Sequence, residues 1–268
     1  MMTTKSIQWL TYLADIIPTD IRFMIPSYFK WMFREKIQNR FDRYTLQPET
    51  ATKQSYLFQH RSPYPNIDPN VNAVLFLHGD YSHPCTTLHM GDIAQQQNKV
   101  VFSLFIPSGE IKAGRYGQHL KEAIGKLQNV IGDQKMCLRE LVLIGHSRGA
   151  TEAVYQTYVE KETPVTGVIA IAGRLKFVEM CSRMPCKESL KPMLNDIHKA
   201  IGNSTGPLTP PLYQIVASRD SCIDPCAAFI SEENKVEIQS GHAGILYHSK
   251  SLQQLATWLD THRCVKSI

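Results

Sequence analysis

Short apolar runs alternate with stretches of helical periodicity from about Val71 to the end of the chain. The runs cover residues 73–77, 100–105, 141–144, 168–171 and 212–216, and each is typical of a strand buried on both faces of a sheet. The stretches between them carry apolar residues at the spacing of amphipathic helices. Strands that alternate with helices form parallel sheets, because each helix returns the chain to the edge where the next strand starts. We therefore predict an α/β fold, with a mostly parallel central sheet flanked by helices on both faces.

Weaker signals extend this pattern. Residues 44–47 and 55–59 could form an antiparallel pair that leads into the sheet, with its register open, and residues 236–238 are typical of a short edge strand. The crossover helices are predicted around residues 120–131, 150–158 and 252–259, with a further helix around residues 190–201.

Composition narrows the class of protein. A chain of 268 residues that is 43% hydrophobic and 20% charged can bury one large core, so we expect a single main domain. The net charge of +5 is spread without a basic tract, which argues against a nucleic-acid partner. Seven cysteines without paired C-x-x-C motifs, and no recognisable signal peptide, favour a reduced, cytoplasmic protein. No apolar run approaches the roughly 18 residues of a membrane span.

The first 43 residues differ from the rest. Their apolar stripes predict two amphipathic helices separated near Pro26, with Ser27 as N-cap of the second. Our first interpretation is that residues 1–43 pack on the core or cover the mouth of the active site, and that residues 44–268 form the main domain. Trp31 and the basic residues around it allow an alternative, in which the segment makes peripheral contact with an anionic membrane surface.

The pentapeptide G-H-S-R-G at residues 145–149 stands between a predicted strand and a predicted helix. A G-x-S-x-G motif in this context is typical of a nucleophile elbow, a strained turn that exposes a serine hydroxyl at the carboxyl end of a sheet. Side chains in place of the two glycines would crowd the neighbouring strand or helix. Ser147 is therefore the candidate nucleophile.

A serine hydroxyl needs a base, and the base needs an orienting acid; at this type of elbow they follow in the order Ser, Asp, His. Asp220 lies just after the strand that ends near Ala217, with Asp224 as the competing acid farther along the loop. His242 follows the last predicted strand between glycines, whereas His248 falls about two turns into the predicted final helix. We therefore predict Ser147, Asp220 and His242 as the catalytic residues.

Acyl transfer also requires two donors for the developing oxyanion. The backbone N–H of Arg148, next to the nucleophile, is one candidate. The second should come from the loop at residues 77–81, with the Asp80 N–H as first choice and that of Tyr81 as second. His78, in the same loop, is then better explained as a structural hydrogen-bonding residue than as a base.

Together these motifs resemble those of the α/β-hydrolase superfamily, from about residue 44 to the C-terminus. L-H-G at 77–79 resembles the family's oxyanion motif, G-H-S-R-G its nucleophile elbow, Asp220 with Ile223 and Pro225 its acid loop, and G-H at 241–242 its histidine loop. The elbow is similar to that of some esterases and chlorophyllase-like members. Residues 173–211 leave room for only a modest lid, so coverage of the pocket would fall to the N-terminal helices.

The resemblance implies the α/β-hydrolase fold and hydrolysis of a carboxylic ester, with a small-molecule ester or lipid-like substrate. A thioesterase, an amidase or peptidase, a membrane-associated lipase and a catalytically inactive binding protein remain alternatives, because the pocket and not the nucleophile selects the leaving group. No metal or organic cofactor is expected, and the sequence leaves the oligomeric state open.

Overall fold

Eight strands form one sheet in the described part of the computed structural model, which covers residues 40–62, 69–80, 84–161, 164–178, 188–202 and 207–261. The strands are β1 (Phe41–Leu46), β2 (Ser55–His60), β3 (Asn70–Leu77), β4 (Lys99–Phe105), β5 (Cys137–His146), β6 (Gly167–Ile171), β7 (Leu212–Ala217) and β8 (Lys235–Ile238). Their order in the sheet is β1-β2-β4-β3-β5-β6-β7-β8.

The strand directions agree with the predicted α/β architecture. β1 pairs with β2, and β2 with β4, in antiparallel fashion, while every pairing from β4 through β8 is parallel. The register of the first pair, open in the sequence, sets Tyr44 opposite Leu57. β8 is the edge strand that was predicted for residues 236–238.

Six α-helices accompany the sheet within the described ranges. They are α1 (Leu88–Gln96), α2 (Ser108–Lys112), α3 (Tyr116–Asp133), α4 (Arg148–Tyr155), α5 (Lys191–Ile197) and α6 (Ser249–Thr261). Helices α3, α4 and α5 pack into the core on one face of the sheet, and α1 and α6 pack on the other. The predicted sheet with helices on both faces is thereby confirmed.

The central strand β5 shows how one run of residues serves both cores. Leu141 and Leu143 point into the core shared with α3 and α4, whereas Val142 and Ile144 point into the core shared with α1 and α6. All four are essentially inaccessible to solvent. Each such burial stabilises the fold by about 1.5–3 kcal/mol, which explains why an unbroken apolar run identified this strand in the sequence.

The predicted N-terminal helices lie outside the described residues, apart from residues 40–43, of which the last three belong to β1. Their role over the pocket or on a membrane stays a prediction. None of the helices in the described ranges has the length and apolarity needed to cross a bilayer.

Helix α1 was missed by the sequence analysis because its apolar signal is weak. It buries Gly91 and Gln95 alongside Met90 and Ala94. Gly91 faces the imidazole of His60, and a Cβ at this position would lie 2.6 Å from His60 Cε1. The ring cannot swing aside easily, since it is buried and His60 Nε2 lies 2.8 Å from Ser103 Oγ. A bare backbone at Gly91 therefore lets α1 pack closely on the end of β2.

We expect Gly91→Ala to lower the free energy of unfolding by about 1–3 kcal/mol, because the added methyl overpacks the His60 ring. Gly125→Ala in α3 is the matched control; its Cβ would meet open space, so the better helix propensity should stabilise by up to about 1 kcal/mol. Denaturant unfolding measures both. In a His60→Ala background the cost of Gly91→Ala should largely disappear, and an unchanged cost there would show that His60 is not the cause.

Candidate active site

Ser147 occupies the sharp turn between β5 and α4. Its backbone has φ 56° and ψ −122°, a region that side-chain-bearing residues rarely adopt. Such a conformation costs on the order of 1–3 kcal/mol, so the surroundings must hold it in place. The Ser147 N–H donates to Ile171 O at 3.0 Å, and Ser147 O accepts from the Ala150 N–H at 3.1 Å. The turn is the strained elbow that the sequence predicted.

The glycines on either side of the turn allow the backbone to approach closely. A Cβ at Gly145 would lie 2.4 Å from Ala150 Cα, and one at Gly149 would lie 2.3 Å from Leu77 O. Contacts this short do not occur between real atoms, and both involve backbone that cannot move out of the way. The spacing of the G-x-S-x-G motif is therefore a packing requirement of the junction between β5, α4 and β3.

Asp220 and His242 form a hydrogen-bonded pair at the ends of β7 and β8. His242 Nδ1 lies 2.6 Å from Asp220 Oδ2. The other carboxylate oxygen, Oδ1, accepts from the backbone N–H groups of Cys222 at 2.7 Å and Ile223 at 2.8 Å. The Asp220 carboxyl is thus oriented by two amides and only 1% exposed, a geometry that suits a fixed anion beside an imidazole.

The competing residues make other contacts. Asp224 Oδ1 accepts from the Cys226 N–H at 3.1 Å and so caps the short helical turn Pro225–Ala227. His248 lies directly before α6, not two turns inside it as the periodicity suggested, and its Nδ1 accepts from the Lys250 N–H at 3.2 Å. Of the two acids and two histidines considered, the structure pairs Asp220 with His242.

His146 links the Ser147 turn to the loop that carries His242, a contact that the sequence analysis missed. Its buried Nε2–H donates to the backbone carbonyl of His242 at 2.8 Å, and the two rings lie 4.8 Å apart. Burial, reinforced by the charge of a protonated His242, lowers the pKa of His146 to about 3. A neutral imidazole at the end of β5 therefore holds the backbone of the loop that carries His242.

The loop after β3 is tied to the neighbouring elements by His78, as predicted for a structural residue. His78 Nδ1–H donates to Gly79 O at 2.7 Å, and Nε2 accepts from the Ile106 N–H at 2.9 Å. The Tyr116 hydroxyl, at the start of α3, donates to His78 O at 2.9 Å. Burial lowers the pKa of His78, so the ring stays neutral while it bridges this loop and the end of β4.

Gly79 brings this loop against the serine. A Cβ here would lie 2.7 Å from Ser147 Cβ and 3.1 Å from Ser147 Oγ. Asp80, the predicted donor of an oxyanion contact, directly follows Gly79, whereas Tyr81, the second choice, lies outside the described residues.

Arg148, the residue after the serine, has its side chain engaged along α4. Arg148 Nε donates to Glu152 Oε1 at 2.8 Å, one helical turn away, and both side chains are largely buried. Burial raises the pKa of Glu152, and the Arg148 guanidinium opposes that rise. The i, i+4 spacing of an arginine and a glutamate was the available sequence signal for this pair.

The structure thus brings four predicted segments to one edge of the sheet: the loop after β3, the Ser147 turn, and the loops that carry Asp220 and His242. In the described ranges, Asp220 and His242 are hydrogen-bonded to each other, whereas no hydrogen bond joins Ser147 Oγ to His242. Catalytic contacts are often longer without substrate and tighten in the bound complex. One group of potential metal ligands also lies here: Asp220, Cys222 and His242 each offer an atom within 4.8 Å of the other two.

Solved esterases are among the structures that are similar to this chain. The hyperthermophilic esterase of the archaeon Pyrobaculum calidifontis superposes with a TM-score of 0.64 at 14% identity, covering 95% of this chain and 97% of that one. EstE1, a thermophilic carboxylesterase from a metagenomic library, superposes with a TM-score of 0.56 at 11% identity, covering 88% of this chain and 97% of that one. Thermogutta terrifontis esterase 2 phosphonylated by sarin superposes with a TM-score of 0.62 at 12% identity, covering 83% of this chain and 95% of that one.

At the level of sequence, no protein-family model and no curated protein matches the chain. Identities of 11–14% establish a shared fold and leave activity to be argued from the site. The chain has the α/β-hydrolase fold, as its motifs indicated.

We expect the buried His146 to make the fold sensitive to acid. With its pKa near 3 in the folded state and about 6.5 when unfolded, only the unfolded chain takes up this proton as the pH falls below 6.5. The stabilisation present above pH 6.5 is therefore lost progressively toward pH 3, about 2 kcal/mol of it by pH 5.

Urea unfolding between pH 7 and pH 5 tests this in wild type and His146→Gln. In the variant, the free energy of unfolding should depend less steeply on pH, because up to one proton fewer is taken up on unfolding. The part of the pH dependence that comes from His60, whose pKa burial also lowers to about 3, should remain. His198→Gln, at an exposed position, is the matched control. Equal pH slopes in wild type and His146→Gln would contradict the assignment.

Proposed function

We propose that this chain, built on the α/β-hydrolase fold, is a serine hydrolase that cleaves a carboxylic ester through an acyl-enzyme intermediate. The observation that carries the proposal is the strained Ser147 turn at the same edge of the sheet as the hydrogen-bonded Asp220–His242 pair. The esterases named above, which have similar structures, support an ester as the substrate class. A small-molecule or lipid-like ester is the proposed substrate.

In the proposed reaction Ser147 Oγ attacks the ester carbonyl while His242 Nε2 accepts the hydroxyl proton. Asp220 holds the imidazole through the 2.6 Å bond to Nδ1 and stabilises the imidazolium that forms. His242 then returns the proton to the leaving alkoxide, and the alcohol departs. A water, deprotonated by the same imidazole, attacks the acyl carbon. The bond between Ser147 Oγ and the acyl group breaks, the carboxylic acid leaves, and His242 returns the proton to Ser147 Oγ.

The backbone N–H groups of Asp80 and Arg148 are the proposed oxyanion donors. Arg148 is the first residue of α4, where N–H groups lack partners within the helix and carry its partial positive charge. Asp80 follows Gly79, whose backbone lies against Ser147. Donors fixed before substrate arrives are worth about 2.7–4 kcal/mol each in comparable acyl-transfer enzymes.

The same catalytic residues could act on other acyl groups. Thioesters, amides and peptides differ from esters in the leaving group, which the pocket selects. A lipase docked on a membrane would depend on residues 1–43, and a binding protein would leave Ser147 unreactive. Matched ester, thioester and amide substrates with one acyl chain separate the hydrolytic alternatives by kcat/KM.

We expect Ser147 to react with a fluorophosphonate probe. The base and oxyanion donors that activate the hydroxyl for an ester should also activate it for phosphonylation. Peptide mass spectrometry should find the adduct on residue 147 in wild type and none in Ser147→Ala. Ser249→Ala, which removes an exposed serine at the start of α6, should leave labelling unchanged. A folded wild type that stays unlabelled would favour the binding-protein alternative.

The two acids of the loop after β7 should differ sharply in their effect on ester hydrolysis. Asp220→Asn leaves His242 without an anionic partner and should lower kcat by about 10⁴-fold. Asp224→Asn changes a residue that caps a local turn, so kcat should fall by less than about tenfold. Steady-state kinetics on a chromogenic short-chain ester compares the two. Comparable losses in both variants would reject Asp220 as the specific acid.

A further inference from the structure

Cys222 places a thiol beside the His242–Asp220 pair. Its backbone N–H donates to Asp220 Oδ1 at 2.7 Å, so the residue is held two positions beyond the acid. Its Sγ, a carboxylate oxygen of Asp220 and a ring nitrogen of His242 all lie within 4.8 Å of one another. The proposed ester hydrolysis uses the carboxylate and the imidazole but has no role for the sulfur.

These three atoms form a mixed donor set. Sulfur, imidazole nitrogen and carboxylate oxygen are together typical ligands of Zn²⁺, a borderline ion that accepts all three in tetrahedral sites. Zn²⁺, with ligand bonds of about 2.0–2.3 Å, holds its donor atoms closer together than 4.8 Å, so the side chains would move inward as the ion binds. Cys222 and His242 are partly exposed, so an ion can reach them from solvent, while the buried Asp220 anchors the set.

We propose that Asp220, Cys222 and His242 form an inhibitory Zn²⁺ site. The ion bonds to the thiolate sulfur, one imidazole nitrogen and one carboxylate oxygen, the thiol proton leaves to solvent, and a water completes the tetrahedron. Binding of the ion is inferred from the positions of these three donors, whereas its inhibitory effect rests on the function proposed above.

Coordination disables His242 whichever ring nitrogen takes part. Bonding through Nδ1 replaces the hydrogen bond to Asp220 that orients the ring. Bonding through Nε2 occupies the lone pair that the serine proton needs. Zn²⁺ therefore switches off the base reversibly, without contact with Ser147, and a chelator restores it.

The types of donor atom also make the site selective for Zn²⁺ over Mg²⁺ and Ca²⁺. Mg²⁺ and Ca²⁺ prefer six or more oxygen ligands, and this site offers one carboxylate beside a sulfur and a nitrogen. Millimolar Mg²⁺ or Ca²⁺ should neither bind at this site nor inhibit ester hydrolysis.

Metal binding is tested first, on the full chain and without a substrate. Equilibrium titration with Zn²⁺ against a chromogenic chelator should show one equivalent fewer bound in Cys222→Ser and in His242→Ala than in wild type. Cys226→Ser is the matched control, because it removes an exposed thiol four residues away that is not among these ligands. Ser147→Ala should bind as wild type does, because the serine is not a ligand.

Inhibition is tested second, with each variant compared to itself with and without Zn²⁺. The Zn²⁺ concentration that halves ester hydrolysis should rise at least about tenfold in Cys222→Ser and stay unchanged in Cys226→Ser. The same Zn²⁺ response in wild type and Cys222→Ser would overturn the proposal.

The binding titration and the inhibition assay together distinguish failure of the proposed metal site from failure of the proposed ester hydrolysis. If no ester is hydrolysed but the Cys222-dependent equivalent of Zn²⁺ is bound, the metal site stands and the proposed function fails. If the ester is hydrolysed but wild type and Cys222→Ser bind equal amounts of Zn²⁺, the proposed function stands and the metal site is rejected.

Discussion

The turn at Ser147 is the constraint on which the rest of the site depends. A residue held at φ 56° is stable only where its surroundings leave no better alternative, and here three strands and a helix converge on it. The hydrogen bond from the Ser147 N–H to Ile171 O joins the turn to β6. Gly149 lies against the end of β3, and Gly145 lies against α4. The stability of the whole sheet thus maintains the strain at one serine.

Buried neutral histidines connect this turn to its partners. His146 reaches the backbone of His242, and His78 bridges the loop after β3 to the end of β4. In each case burial keeps the ring uncharged, so one nitrogen donates while the other can only accept. The loops are positioned by hydrogen bonds to backbone atoms, which leaves the His242 side chain available for chemistry. Because these rings are buried in the neutral form, acid conditions that protonate them in the unfolded chain lower the stability of the fold.

The loop after β7 would combine the two proposed roles, which need the same geometry. Backbone amides that fix the Asp220 carboxylate for an imidazole also bring the Cys222 thiol close to both groups. The Asp220–His242 pair differs from the proposed metal site by one additional ligand, so a single cysteine would be enough to make the pair responsive to Zn²⁺. The proposed control of activity therefore needs no element beyond those that would perform the reaction.

The sequence by itself determined the strands of the parallel part of the sheet, the order of the elements and the turn at Ser147. Burial on both faces of the sheet and glycine at close contacts each produce a recognisable local sequence pattern. The helices with clear periodicity were also predictable, whereas α1 and α2 were not. The apolar signal of α1 is weak, and its Gly91 is explained only by His60, thirty-one residues earlier. The sequence favoured Asp220 over Asp224, but the hydrogen bond between Asp220 and His242 that supports this choice is seen only in the structure, as is the contact of His146 with the His242 carbonyl. Such contacts join residues distant in sequence, and their partners are set by how the ends of parallel strands meet, which no local pattern records.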